Sequence, residues 1–164
     1  MLTNISYNRN KAVSYAYKWA LSRNPKYYNF DGIGGDCTNF VSQCIHAGCE
    51  VMNYTRNVGW YYKSPNDRAA AWTGVEYLHR FLTTNKNEGP HGKELPISQI
   101  KYAEPGDIIQ LNYTGDIFGH SLFIVETHPQ ILVAQHSSEN FYGKPFSDYW
   151  YDSARLIKIE GARR

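Results

Sequence analysis

Cysteine is scarce in this chain: its 164 residues contain three, Cys37, Cys44 and Cys49. An odd count without a C-x-x-C spacing argues against a disulfide framework and against a structural zinc ribbon. Charge of one sign is also lacking. Seventeen Lys and Arg against fifteen Asp and Glu leave a net charge of +2, and no basic cluster is longer than the terminal Arg163-Arg164. This removes the electrostatic case for nucleic acid or for an acidic polymer. No apolar run approaches the ~20 residues that a membrane-spanning helix needs, so no membrane insertion is expected. The first 20 residues lack the charged, apolar and small-residue order of a secretory signal. The expectation is therefore a cytoplasmic protein if the chain is complete, and a cell-envelope or secreted one if it is a fragment of a larger protein. There is no internal repeat and no low-complexity segment.

Hydrophobic residues make up 42 % and charged residues 20 %, the balance of a folded globular chain. The length suits one domain over residues 1–164. Aromatic residues are abundant, with 14 Tyr, 7 Phe and 4 Trp, and most of them are expected to fill the core. Residues 8–23 have helical spacing in Ala12, Ala16, Trp19 and Ala20, ended by Asn24-Pro25. A loop over 26–36 precedes a second helix from Asp36 or Cys37. Its apolar stripe is Cys37, Phe40, Val41, Cys44, Ile45 and Gly48, with Gly48 as the stop. A third helix is predicted over 73–84 with Val75, Leu78, Phe81 and Leu82 inward. A polar loop carrying Gly and Pro follows over 85–104. Beyond residue 105 the period changes to short β-rich runs at Asp107–Tyr113, His120–Glu126, Ile131–His136 and Ala154–Ile159. Helices first and an antiparallel meander second indicate an α+β domain of two packed layers.

The segment Gly34-Gly35-Asp36-Cys37-Thr38-Asn39-Phe40 is the part that bears on chemistry. A cysteine in the first turn of a helix feels the positive end of the helix dipole, which favours the nucleophilic thiolate. Backbone N–H groups there, that of Cys37 among them, are able to receive an oxyanion. Two glycines ahead of it permit close approach of a substrate. Asp36 is the expected N-cap, with a carboxylate placed to take N–H bonds from the first turn. Cys44 and Cys49 lack the helix-terminal position and read as buried apolar residues. A thiolate nucleophile needs a base and a group that orients the base. Among six histidines, His120 opens an apolar strand on the rim of the sheet. A hairpin around His128-Pro129-Gln130 that pairs 126 with 131 brings 120 close to 137. His136, Gln135 and Ser137 then all lie within reach of His120. His46, His79, His91 and His128 have no such arrangement.

Asp36-Cys37-Thr38-Asn39-Phe40-Val41-Ser42-Gln43, followed by Ala47-Gly48, resembles the signature of the family known as the putative amidase domain. That family is related to the NlpC-type and CHAP cell-wall hydrolases of the papain-like clan. Tyr7-x-Arg9-x-x-Ala12, Tyr15-Ala16, Asn24-Pro25-x-Tyr27-x-x-Phe30, Pro105-Gly106-Asp107, Gly119-His120 and Gln135-His136 extend the resemblance over nearly the whole chain. Cys49 departs from it, standing where such sequences often carry a Gly-Gly pair. The resemblance implies a papain-like, NlpC-like fold in which N-terminal helices pack on a C-terminal antiparallel sheet. It implies Cys37 as nucleophile, His120 as base and His136 as the orienting third member. It also implies that Asp36, Thr38 and Tyr27 line the substrate site, with Asp36 receiving the free amine of a peptide.

The resulting expectation is a cysteine hydrolase, an amidase or peptidase that cleaves an amide bond by way of an acyl-enzyme and needs no cofactor or metal. Its substrate is expected to be a peptide, with bacterial cell-wall stem peptide favoured. Three alternatives share the same residues: acyl transfer to an amine, a non-catalytic peptide- or wall-binding module, and a zinc site formed by Cys37, His120 and His136.

Overall fold

The computed structural model describes all residues, 1–164. Four helices and nine strands follow one another along the chain. They are β1 (Asn4–Ile5), α1 (Arg9–Trp19), α2 (Cys37–Cys49), β2 (Tyr62–Ser64), β3 (Asp67–Arg68), α3 (Ala70–Thr73), α4 (Val75–Thr84), β4 (Gly89–Pro96), β5 (Ile108–Asn112), β6 (His120–Glu126), β7 (Leu132–Gln135), β8 (Phe141–Pro145) and β9 (Ser153–Arg163). Every strand pair is antiparallel, and the main sheet runs β1-β9-β5-β6-β7-β8 with β4 on the other edge of β9. The class is α+β. No helix is long and apolar enough to cross a membrane.

Helix α1 starts at Asn8, whose side chain accepts from the Lys11 N–H at 3.0 Å. It ends at Trp19, four residues short of the predicted limit. Helix α2 is more enclosed than a single apolar stripe implies, because ten of its thirteen residues are buried. Its buried polar side chains are therefore bonded. Ser42 donates to the Trp72 carbonyl and accepts from the Trp60 indole. The Asn39 carbonyl oxygen accepts from the Trp72 indole, and Gln43 accepts from the Tyr15 hydroxyl. The helix runs past Gly48 to Cys49 and ends on Glu50 in the left-handed region. Gly48 serves close packing instead of termination, since a Cβ there would lie 2.5 Å from the Tyr7 ring. The third predicted helix, 73–84, is α4, and a further short helix, α3, precedes it, separated by Gly74, where ψ is 129°.

The predicted loop over 85–104 is the largest revision. It holds β4, which pairs with β9 from Gly89↔Arg163 to Pro96↔Arg155 across a bulge at His91/Gly92, and then a 3₁₀ turn over Ile97–Tyr102. Its Pro and Gly content hid a strand whose side chains do not alternate cleanly. Gly92 is required where it sits, because a Cβ would meet the Lys158 carbonyl at 2.1 Å.

The sheet is buried on both faces. Phe123, Val125, Ala134, Ile108 and Ile157 face the helices, in one cluster with Phe40, Val41, Ile45, Trp60 and Trp72. Leu122, Ile124, Val133, Ile109 and Leu156 face the other way, under Ile97, Ile100, Phe146 and Tyr149. Two motifs distant in sequence join α1 to this sheet. Tyr7 donates to the Gly106 carbonyl at 2.9 Å, and Arg9 donates to the Pro105 carbonyl at 2.9 Å and to buried Asp107 at 2.8 Å.

Candidate active site

Cys37 is the first residue of α2 and is partly exposed, whereas Cys44 and Cys49 are buried. The turn before it passes through Gly34 and Gly35 at φ of +84° and +94°, a left-handed path that suits glycine. The two side chains expected to react are brought together: the Cys37 thiol and the His120 imidazole lie close enough for each to shift the protonation of the other. Burial pushes the Cys37 thiol up, but the His120 hydrogen bond and charge, the Ser121 N–H and the Thr38 hydroxyl outweigh it, and the thiol lies below its ordinary value. Burial pulls His120 down, yet the Cys37 contact and the Gln135 bond hold it above its ordinary value. The opposed shifts both favour the charged forms, thiolate and imidazolium. Burial drives Cys44 well up and Cys49 to about 11, so neither competes as a nucleophile at neutral pH.

The residue that holds His120 is Gln135. Its Oε1 is 3.0 Å from His120 Nε2 and also accepts from the Tyr149 hydroxyl at 2.5 Å. Its Nε2 donates to the Glu139 carbonyl at 2.9 Å, which fixes the amide orientation. Oxygen therefore faces His120, Nε2 of the ring carries a proton, and Nδ1 is left for the sulfur.

His136, expected as the third member, is elsewhere, and side-chain alternation is the reason. Phe123 pairs with Ala134 and Ile124 with Val133, the register expected from a 126–131 hairpin, although a bulge at the turn end pairs Glu126 with Leu132; continued toward the strand start, this register sets 120 opposite 137. Residues 135 and 137 then share the face of His120, and 136 takes the opposite face. His136 stacks on Phe40 of α2 at 4.2 Å and bonds Asp36 Oδ2 through Nδ1 at 2.9 Å and the Trp19 carbonyl through Nε2 at 2.8 Å.

Asp36 also differs from expectation. It occupies the N-cap position but makes no bond to the first-turn amides. It is 1 % exposed. Its Oδ1 accepts from the Phe30 N–H and from Asn39 Nδ2, each at 2.9 Å, and its Oδ2 meets Arg23 and His136. Arg23 also pairs with Asp31. Burial alone would raise the Asp36 carboxyl, but the bonds from His136, the Phe30 N–H and Asn39 bring it below the ordinary carboxylate range. Enclosed and saturated, this carboxylate has no lone pair open to a substrate amine.

Thr38 is fully buried, with its hydroxyl 3.7 Å from the Cys37 sulfur and 3.0 Å from Ser121 Oγ. It serves the sulfur instead of lining the cleft. Tyr27 packs beside Tyr62 at 5.0 Å and stacks on Trp72 at 5.9 Å, without hydrogen bond or ring contact to Cys37 or His120. Sequence reading passed over Arg23, Tyr149 and Ser121. No local spacing marks them, although a hairpin register taken with strict alternation does favour Gln135 over His136.

A cleft of about 470 Å³ opens beside His120 and Gln135, bounded by Tyr113, Phe141, Lys144 and Trp150. Tyr113 stacks on His120 at 6.2 Å and on Trp150 at 6.3 Å, and Trp150 is 70 % exposed. A second pocket, between Asn53, Tyr77, Arg80 and Asn87, is lined by no cysteine or histidine.

Comparison with known proteins agrees with the motif pattern. The chain is 36 % identical over 125 residues to the uncharacterized protein YhbB of Bacillus subtilis (strain 168), an alignment covering 73 % of this chain and 37 % of that protein. The chain thus spans well under half the length of this relative. No solved structure matches it. The family model described as "Putative amidase domain" matches residues 6–159, nearly the full length, and the chain belongs to that family.

Proposed function

We propose that the protein is a cysteine hydrolase of papain-like type that cleaves a peptide amide bond, with Cys37 as nucleophile and His120 as acid and base. The observation that carries the reading is the Cys37–His120 contact at the start of a helix, with the thiol shifted down and the imidazole shifted up. In the reaction the Cys37 thiolate attacks the carbonyl carbon and forms a C–S bond. The oxyanion meets the helix N-terminus, where the Cys37 N–H has no carbonyl acceptor within the helix. His120 Nδ1–H then protonates the departing amine as the C–N bond breaks. Water, deprotonated by His120, attacks the thioester, releasing the acid and restoring the ion pair. Gln135 takes the orienting role, holding the His120 tautomer through Nε2. No step calls for a metal or a cofactor.

The aromatic rim of Tyr113, Phe141, Tyr149 and Trp150, with polar Lys144, Glu139 and Asp148 between them, suits an extended peptide carrying both apolar and charged side chains. Bacterial cell-wall stem peptide is the substrate we favour, because the family motifs resemble those of wall-peptide hydrolases. Such a substrate implies work at the cell envelope. The test is incubation with purified peptidoglycan and with synthetic stem peptides, followed by mass analysis. New free carboxyl and amine ends that vanish with Cys37→Ala support the reading. Intact peptides and an undigested wall at high enzyme concentration overturn the wall substrate.

A further inference from the structure

Beyond the Cys37 sulfur lies a run of buried polar side chains that takes no part in the reaction proposed for Cys37 and His120. Arg155 of β9 donates to Gln110 Oε1 of β5 through Nε at 2.9 Å and Nη2 at 2.7 Å. Gln110 Nε2 donates to the Val75 carbonyl at 3.0 Å and to Ser121 Oγ at 3.2 Å. Ser121 Oγ is 3.0 Å from Thr38 Oγ1, and Thr38 Oγ1 is 3.7 Å from Cys37 Sγ. Gln110, Ser121 and Thr38 are fully enclosed, and Arg155 nearly so.

The direction of every bond in this run is fixed. A guanidinium only donates, so Gln110 presents oxygen to Arg155. A backbone carbonyl only accepts, so the Gln110 amide nitrogen faces Val75, which agrees with the first assignment. Ser121 Oγ therefore accepts from Gln110, and its one proton goes to its remaining partner, Thr38. Thr38 then has one proton and one remaining partner, the sulfur. The opposite sense would leave the Ser121 hydroxyl proton buried without an acceptor, at about 1–3 kcal/mol. No buried side-chain N or O in the protein lacks a partner.

We infer that Arg155, Gln110, Ser121 and Thr38 form a one-way hydrogen-bond chain ending on Cys37, which polarises the Thr38 hydroxyl toward the sulfur and holds it as thiolate. Thr38 touches the reacting atom, and the other three are positioning residues that act through it. The inference rests on the reading of Cys37 as nucleophile. His120 supports the thiolate from one side and this chain supports it from another. Aligned donors strengthen one another in an interior of low dielectric. The other titratable groups around the sulfur are His120 and Tyr113, and those around Arg155 are Glu76, at 2.7 Å, and Glu94. Glu76 is half exposed and bonds the guanidinium on its outer side.

The pH dependence of Cys37 alkylation by iodoacetamide tests the chain without a known substrate. Thr38→Val keeps shape and removes the donor, and the apparent Cys37 pKa should rise by about one unit, a roughly tenfold loss of rate on the acid limb. Ser121→Ala should give a smaller rise in the same direction. In Thr38→Val/Ser121→Ala the second change should add nothing, because the chain is already cut at its last link. Arg155→Lys should lie between the parent and Arg155→Met. Ser121→Ala that lowers thermal stability and leaves the alkylation pKa in place overturns the chain, as does additivity in the double variant. Should Arg155→Met fail to fold, the Thr38 and Ser121 variants decide alone. Loss of peptidoglycan cleavage is not part of this readout. An inactive protein with a shifted Cys37 refutes the substrate and keeps the chain, and a parent Cys37 of ordinary pKa refutes both.

Discussion

Gln135→Leu separates the two candidates for the group that orients His120. Leucine nearly preserves volume and removes the oxygen that holds His120 Nε2 at 3.0 Å and the Tyr149 hydroxyl at 2.5 Å. A hydrogen bond to an ionised partner contributes about 1.5–3 kcal/mol. At 1.36 kcal/mol per decade, its full loss from the imidazolium corresponds to a fall of roughly 10- to 150-fold in activity. The signs follow from the direction of each shift. Gln135 helps to hold the imidazole above its ordinary value, so without it His120 loses its proton at lower pH and the alkaline limb of the rate profile moves down. A weaker imidazolium partner lets the thiol rise, so the acid limb moves up. The active window narrows from both sides, and each limb belongs to the coupled pair instead of one residue. The pH profile of kcat/KM on a peptide, or of iodoacetamide alkylation at Cys37, reads both limbs. His136→Ala should leave the window in place and lower the melting temperature, since it removes the stack on Phe40 and the bonds to Asp36 and the Trp19 carbonyl. A profile that narrows with His136→Ala and keeps its width with Gln135→Leu refutes this assignment.

Iodoacetamide at neutral pH should modify Cys37 well before Cys44 or Cys49, which burial holds as thiols, and peptide mapping that finds Cys44 labelled first contradicts the site. Asp36→Asn should destabilise the fold by about 3 kcal/mol by uncharging one side of a buried ion-paired cluster, as read by urea denaturation. Because the Asp36 carboxyl is lower in the folded chain than in the unfolded one, its contribution is present at neutral pH and fades as pH falls below the ordinary carboxylate range, so parent and variant should converge in acid. Gly35→Ala should cost about 1–2 kcal/mol from backbone strain alone, since φ is +94° and a Cβ would meet nothing within 4 Å. Gly119→Ala, equally uncrowded and not left-handed, should change stability little, and equal losses at the two glycines would contradict the strain argument.

The sequence by itself determined the α+β class, the helix that begins at Cys37, the strand that begins at His120 and the low standing of Cys44 and Cys49 as nucleophiles. Each of these follows from local rules: apolar period, a cysteine at a helix start, burial of small apolar side chains. The hairpin register around His128-Pro129-Gln130 was legible only in part: Phe123 and Ile124 pair as a 126–131 hairpin requires, but a bulge next to the turn pairs Glu126 with Leu132 instead. What only the tertiary structure decided is which faces meet. Asp36 and Thr38, adjacent to Cys37 in sequence, turn inward, one to Arg23 and His136 and the other to Ser121, because α2 is enclosed on nearly every side. His136 and Gln135 are neighbours in the chain but lie on opposite faces of the sheet, and only packing against α2 fixes which face receives the histidine. β4 was hidden because its pairing comes from an edge of β9 some 60 residues away, and a strand of Gly, Pro and charged residues is held by that edge, not by its own pattern. Arg155, Gln110 and Ser121 come together across three strands, a juxtaposition that the sheet order creates and no spacing in the sequence encodes.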